Sequence, residues 1–159
     1  MTSNWLNKSE DRAWRTYRRM FTLLEARLAG DLTDRTGLSM PDYTVLSNLV
    51  DARDRRFRIS ALADHMTWSQ SRLSHQIGRM AKRGLVKKES VEGDGRGAFV
   101  VMTTEGFRAL AAATPTHLRG VREHMLDLLT PDQIVALEEI SAVVVEHLNE
   151  TDGPKAPSE

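Results

Sequence analysis

A polar, basic stretch decides the fold of this chain, and it reads Thr67-Trp68-Ser69-Gln70-Ser71-Arg72-Leu73-Ser74-His75-Gln76-Ile77-Gly78-Arg79-Met80-Ala81-Lys82-Arg83. Thr67 and Gln70 have the spacing of a capping box, which predicts the start of a helix. Gly84 follows the stretch, and glycine most easily takes the left-handed conformation that ends a helix. We therefore predict one short helix between these two signals.

The two faces of this predicted helix differ in chemistry. Leu73, Ile77 and Met80 recur at helical spacing and form a narrow apolar face. The opposite side carries Ser71, Arg72, Ser74, His75, Arg79 and Lys82. No acidic residue occurs in the whole stretch. Such a helix is either an ordinary solvated basic helix or one for the DNA major groove, where Arg and Lys meet phosphates and Ser, Gln and His bond base edges.

Charge is balanced over the chain but not along it. The 159 residues hold 22 Lys and Arg against 22 Asp and Glu. Between Arg53 and Val100 there are eleven basic and five acidic residues, so this segment is +6 and the remainder is −6. A basic middle between acidic ends is typical of a nucleic-acid-binding core with a separate assembly region.

Several classes of protein lack their sequence signals here. The chain has no cysteine, which excludes disulfides and thiolate zinc sites. No apolar run approaches the roughly 20 residues that span a bilayer, so we expect a soluble, cytoplasmic protein without membrane contact. Gly93-x-Gly95-x-Gly97 is no dinucleotide motif because strand-like runs flank it on both sides. We predict no enzymatic activity and no cofactor.

The patterns before the basic stretch predict three helices. The first covers 9–29 with Ser9 as its cap and is followed by a polar connection over 30–38. The second starts after Ser39, with Pro41 in its first turn, and ends near Ala52. A very short strand over 57–59 and a helix of barely two turns over 61–66, capped by Ser60, come next. Two short helices joined tightly, the second one basic, are typical of a helix-turn-helix.

The patterns after the basic stretch predict a hairpin and two long helices. Strand-like runs over 85–91 and 98–102 flank 92–97, which has three glycines in six residues and reads as a flexible hairpin tip. A hairpin in this position is a wing. We predict a helix over about 104–128, kinked or restarted at Pro115, and a last helix from Pro131 to about Leu148. Residues 150–159 read as a disordered tail.

This order of elements resembles the MarR family of bacterial winged-helix transcription regulators from about Asp11 to Leu148. Local motifs carry the resemblance: Ile59-Ser60-Ala61-Leu62-Ala63-Asp64, Ser71-Arg72-Leu73-Ser74, Met80-Ala81-Lys82-Arg83-Gly84-Leu85-Val86, Asp94-Gly95-Arg96-Gly97 and Thr103-Thr104-Glu105-Gly106. The Asp94-x-Arg96 pair is similar to the family's wing signature.

The resemblance implies a mostly α (α+β) fold. Its winged helix-turn-helix core with a two-stranded wing would lie over 39–103, between dimerisation helices over 1–38 and 104–149. It also implies a homodimer that binds a pseudo-palindromic operator in double-stranded DNA, usually represses, and releases DNA when a small aromatic or anionic ligand binds. The apolar stripes of the first and last helices exceed what the small core can cover, which favours the dimer over packing within one chain. The alternative is a winged-helix module used only for protein–protein contact.

Residue roles follow from the resemblance by position. Ser71, Arg72, Ser74 and His75 are the candidates for base edges and nearby phosphates. Arg79 and Lys82 are candidates for phosphate contacts. Arg96 would enter the minor groove from the wing tip, where narrow A·T-rich DNA has an enhanced negative potential, and Asp94 would orient Arg96 or the hairpin.

Two further groups of residues have competing interpretations. Trp14, Tyr17, Arg18, Met40 and Tyr43 either pack in the core and dimer contact or line an effector pocket in which Arg18 faces an anion. His117, His124, Glu123 and His147 suggest a metal site, but they form no tight cluster in sequence and we predict none.

Overall fold

The computed structural model describes residues 5–91 and 94–151, and of residues 91, 94–96 and 151 only the backbone. Its helices are α1 (Lys8–Thr36), α2 (Met40–Asp51), α3 (Ile59–His65), α4 (Gln70–Lys82), α5 (Thr104–His124) and α6 (Pro131–Thr151). Its strands are β1 (Arg56–Arg58), β2 (Val86–Val91) and β3 (Asp94–Met102). The chain divides into two compact units, the first ending at Gly120 and the second starting at Val121.

The three strands form one antiparallel sheet in the order β1-β3-β2. β2 and β3 are the predicted wing, with Lys88 opposite Val100. The strand before α3 also forms and pairs with β3, placing Phe57 opposite Val100. Sheet and helices together are the predicted winged helix-turn-helix fold, with one more strand in the sheet than the wing itself has.

The core lies where α2, α3 and α4 meet the sheet. Leu46, Leu62, Ile77 and Val100 are fully buried there, one from each element. Burying an aliphatic side chain of this size stabilises a fold by about 1.5–3 kcal/mol. This packing explains how α3, with seven residues, stays helical although it is too short to be stable alone.

The first helix is longer than its sequence pattern predicted. Asn7 and not Ser9 is the cap, in a capping box with Glu10. The predicted connection over 30–38 is mostly helix: α1 continues through Gly30 to Thr36 and ends at Gly37, whose φ is 73°. Leu32 is fully buried in the core. Tertiary packing of the last turns thus outweighs the cost of a glycine inside the helix, which is roughly 1 kcal/mol.

The start of α4 also corrects the sequence prediction. The cap is Ser69, whose hydroxyl accepts the amide N–H of Arg72 at 3.2 Å. Thr67 has a φ of 53° and lies in the turn between α3 and α4. The predicted capping box between Thr67 and Gln70 is therefore wrong, whereas the left-handed conformation of Gly84 (φ 73°) is confirmed.

Smaller differences concern other boundaries. Ile59 belongs to α3, which has no side-chain cap, so Ser60 lies inside the helix. β3 begins at Asp94, within the predicted hairpin tip. α5 continues through Pro115, which is exposed, and ends at His124 before a 3-10 turn over Leu126–Leu128.

The last helix begins as predicted and ends later. Thr130 accepts the N–H of Gln133 at 3.3 Å, and the Gln133 side chain accepts the N–H of Thr130 at 2.9 Å. This reciprocal pair fixes the start of α6 at Pro131. Helix α6 includes Glu150 and Thr151, which the sequence analysis assigned to the tail, and 152–159 lie outside the described residues.

Candidate nucleic-acid interface

Helix α4 has a buried side and an exposed side. Leu73, Ile77 and Met80 are fully buried, as their spacing predicted. On the other side, a shallow groove runs along the helix, lined by Ser71, Ser74, His75, Gly78, Arg79 and Lys82. The five polar residues in this set are exposed. The structure therefore brings five of the predicted DNA contacts onto one cationic, hydrogen-bonding surface, which we call the α4 face.

The sixth predicted contact of this helix, Arg72, lies to the side of the α4 face. Its guanidinium carbon lies 3.9 Å from the centre of the Trp68 ring. A cation over an indole face is attracted by the ring quadrupole, so Trp68 holds Arg72 at the start of α4. Arg72 and Trp68 also line a cleft of about 640 Å³, together with Phe21 and Glu25 of α1 and Met40 of α2.

A buried polar network connects α4 with α2. Asp42 and Gln76 are each 2% exposed. The Gln76 amide donates to Asp42 Oδ1 at 2.6 Å, and Arg83 Nη1 donates to Asp42 Oδ2 at 2.6 Å. Arg79 donates in turn to the Gln76 side-chain oxygen. Sequence reasoning missed this network, although Gln76 stands at helical spacing between Leu73, Ile77 and Met80, where an apolar residue is expected.

The sheet contains another part of the basic segment. Lys87 Nζ lies 2.9 Å from Glu89 Oε1, and Arg56 Nη2 lies 3.7 Å from Glu89 Oε2. The hydrogen bond from Lys87, more than the nearby charge of Arg56, holds the pKa of the Glu89 carboxyl below its ordinary value. Arg56 also lies 3.9 Å over the Phe99 ring. Two of the basic residues of this segment, Arg56 and Lys87, are thus paired with an acid of the same segment within the sheet.

The two wing residues belong to β3. Asp94 and Arg96 lie at the start of β3, where Asp94 is opposite Val91 in the register. Their side chains lie outside the described part of the chain.

The five candidate effector residues occupy different places. Trp14 stacks on Tyr17 with ring centres 5.8 Å apart, and both are about half exposed on α1. Arg18 is exposed on the same helix. Met40 lines the cleft described above, and Tyr43 packs against the His117 ring at 4.6 Å.

His117, for which the sequence predicted no metal site, packs inside the fold. Its Nδ1 atom is buried and has no hydrogen-bond partner. Burial lowers the pKa of His117 from its ordinary value of 6.5 because it disfavours the charged ring. Among the described residues, no three His, Asp or Glu side chains are grouped as metal ligands. None of the helices in the described ranges combines the length and the hydropathy of a membrane span.

Known proteins that are similar in sequence and those that are similar in structure are both transcriptional regulators. A MarR family model matches residues 28–97. The transcriptional regulator HosA of Escherichia coli is 32% identical over 105 residues, which are 66% of this chain and 74% of HosA. The crystal structure of AbsC, a MarR family transcriptional regulator from Streptomyces coelicolor, is 39% identical with a TM-score of 0.84, covering 93% of this chain and 99% of AbsC. Sco3205 of the same organism, a MarR family transcriptional regulator solved in complex with DNA, is 35% identical with a TM-score of 0.87, covering 99% of this chain and 97% of Sco3205.

Proposed function

The chain belongs to the MarR family of transcription regulators, and from this premise we propose that it is a homodimeric repressor of a pseudo-palindromic DNA operator. The observation that carries the proposal is the α4 face, a row of exposed polar and basic side chains without an acid on the helix. Membership of the family also agrees with the prediction that the chain is not an enzyme. Because such a regulator has to reach chromosomal DNA, we also propose that the protein acts in the cytoplasm.

The proposed contacts divide into two kinds along α4. Ser71, Ser74 and His75 supply short hydrogen-bonding groups for base edges in the major groove. Arg79 and Lys82, nearer the end of the helix, supply charge for phosphates. Arg72 reaches a phosphate or base only from the side of the α4 face where Trp68 holds it. The DNA complex of the similar Sco3205 supports a DNA partner for this fold.

The wing supplies the second part of the proposed interface. Arg96 lies at the start of β3, three positions after Gly93 in the sequence. We propose that it enters the minor groove beside the half-site. Asp94 supports the hairpin or orients Arg96. Arg96→Ala is then expected to weaken operator binding and to leave the oligomeric state unchanged.

Exposed apolar side chains support the homodimer. Tyr17, Phe21 and Leu23 are 48–52% exposed on α1. Ile140, Val143 and Leu148 are 54–68% exposed on α6. A monomeric protein in water rarely exposes so much apolar surface. We therefore propose that a second copy of the chain covers it, as the family implies. Two-fold symmetry would place two α4 helices about one DNA turn apart, so half-sites should be roughly 10 base pairs apart.

The test of DNA binding is selection from upstream DNA fragments with the purified protein, followed by fluorescence anisotropy across salt concentrations. Each phosphate contact contributes about 0.9 to the slope of log K against log salt. Lys82→Gln should therefore lower the affinity and the slope, whereas Arg108→Gln, at an exposed position of α5, should change neither. Absence of duplex binding even in low salt would leave only the protein–protein alternative.

We further propose that a small aromatic or anionic ligand binds between α1, α2 and the start of α4 and releases the DNA. The cleft there combines the aromatic rings of Phe21 and Trp68 with the Arg72 cation. A ligand that moves Arg72 or Trp68 would displace the start of α4. A thermal-shift screen of aromatic carboxylates, repeated on Trp68→Ala and on Tyr43→Ala, distinguishes this cleft from the neighbourhood of Tyr43.

A further inference from the structure

Asp42 is a carboxylate buried between α2 and α4. It lies in the first turn of α2, where its Oδ2 accepts the backbone N–H of Ser39 at 3.0 Å. That contact belongs to an ordinary helix cap. Two additional side chains reach the same carboxylate from α4 and its end: Gln76 to Oδ1 and Arg83 to Oδ2, each at 2.6 Å.

The chemistry of Asp42 fixes the orientation of Gln76. An ionised carboxylate only accepts hydrogen bonds, so the Gln76 side chain must turn its NH₂ group toward Asp42. Its carbonyl oxygen then points the other way and accepts from Arg79. The Arg79 guanidinium on the α4 face is thereby held by a chain of two hydrogen bonds that begins at the buried Asp42 on α2.

This arrangement is costly if stability alone is considered. A carboxylate that is 2% exposed has lost its water, and an apolar residue of similar size would often stabilise a core as well or better. The Arg83 pair compensates the charge from a side chain that is 45% exposed. A buried polar network that is fully satisfied specifies one geometry, which an apolar contact does not.

We propose that Asp42 is a positioning residue of the DNA interface: through Gln76 it sets the direction of the Arg79 guanidinium toward a DNA phosphate. This rests on the proposed function. Holding a flexible arginine in its binding conformation removes part of the ordering cost of association. Four N–H groups of Arg79 other than the one donated to Gln76 remain for the phosphate.

Arg83, which Asp42 holds, also connects the end of α4 with the end of α1. Arg83 Nη2 donates to the Gly37 carbonyl at 3.0 Å while Nη1 holds Asp42. Gly37 is the residue at which α1 ends. Asp42 therefore fixes α4 relative to the α1–α2 junction as well as aiming Arg79.

The test compares operator binding of Asp42→Asn, Gln76→Met and Arg79→Ala with that of the unchanged protein. Gln76→Met keeps the volume and the Asp42–Arg83 pair but removes both hydrogen bonds of the amide, so it stays informative if Asp42→Asn fails to fold. Arg79→Ala should lower the salt slope by about 1.8, one phosphate per protomer at about 0.9 each. Gln76→Met and Asp42→Asn should lower affinity about three- to tenfold, as expected for a weakened charged contact.

The decisive readout is the double variant. If Asp42 and Gln76 act through Arg79, then Gln76→Met should cause no further loss of affinity in an Arg79→Ala background. Asp51→Asn, at the exposed end of the same helix, is the matched control and should bind as the unchanged protein does. Additive losses in the double variant, or unchanged affinity of folded Gln76→Met, would overturn the inference. Failure of the unchanged protein to bind DNA would instead overturn the proposed function.

Discussion

Gly106 shows how a single position can be dictated by a neighbouring backbone. A Cβ atom at this position would lie 2.0 Å from the Leu85 carbonyl oxygen. The same carbonyl accepts the N–H of Thr103 at 3.2 Å, and the Thr103 hydroxyl accepts the N–H of Gly106 at 3.0 Å. In the Thr103-x-x-Gly106 motif, the threonine therefore caps α5, and the glycine allows the helix to pack closely against the backbone just before β2.

We expect Gly106→Ala to destabilise the fold by about 1–3 kcal/mol or more, because backbone must move to admit the methyl group. Gly30→Ala is the matched control. Nothing lies within 4 Å of a Cβ there, and alanine inside a helix is favoured over glycine by roughly 0.5–1 kcal/mol. Urea denaturation of both variants should show shifts of opposite sign, and equal shifts would refute the steric explanation.

We expect His117 to make the stability of the fold depend on pH. Burial holds its folded pKa below the ordinary value of 6.5. At pH values between the lowered pKa of the folded state and 6.5, the unfolded chain therefore binds more protons than the folded one. The free energy of unfolding rises with pH across this interval and decreases as the pH falls below 6.5.

His117→Leu should remove this loss and also the unpartnered Nδ1 atom. Denaturant midpoints measured from pH 7.5 down to about pH 5 should fall less steeply for the variant than for the unchanged protein. Parallel curves for the two proteins would show that another group titrates instead.

Backbone conformation determines which of two neighbouring residues, Thr67 or Ser69, caps α4. Ser69 has the extended conformation of a cap residue, with φ −64° and ψ 148°, whereas Thr67 is left-handed. A β-branched residue with positive φ is strained by roughly 1 kcal/mol. The turn between α3 and α4 is tight because Trp68 N–H bonds the Ala63 carbonyl at 2.9 Å.

Two substitutions test this assignment of the helix start. Ser69→Ala should destabilise the protein by about 1 kcal/mol through loss of the cap. Thr67→Gly should be neutral or stabilise by up to about 1 kcal/mol, because glycine takes positive φ without strain. Both are measured by urea denaturation, and the reverse order of stabilities would restore Thr67 as the cap.

Helix α6 carries apolar side chains that stay exposed in a single chain. Of its described side chains, Leu137 alone is partly buried and the others are exposed. The buried core comes from residues between Leu32 and Ala113. A long helix with this composition becomes stable by packing its apolar stripe, which agrees with the proposed homodimer.

We expect Ile140→Asp to remain folded in the winged core and to lose self-association, because a carboxylate would be buried against apolar groups of the second copy. Loss of the second half-site should weaken operator binding by about a hundredfold or more. Sedimentation equilibrium and anisotropy measure the two effects. Glu139→Gln, also exposed on α6, is the control, and a dimeric Ile140→Asp would place the contact elsewhere.

The local elements and the chemistry of the α4 face could be predicted from the sequence. Helical spacing of Leu73, Ile77 and Met80 fixes which side of α4 is buried, and the polar residues between them must then face water. Gly84 and Thr130 end and begin helices through interactions within a few residues, which a local pattern contains. The winged helix-turn-helix order could be predicted for the same reason.

The contacts that join distant parts of the chain could not be predicted in this way. Gln76 and Asp42 are 34 positions apart, and Arg83 reaches the Gly37 carbonyl across 46. The burial of Leu32 extends α1 past a glycine at which local preference favours a break. These outcomes depend on which side chains meet after folding, and the free energy of such contacts exceeds the small local preferences that a sequence pattern records.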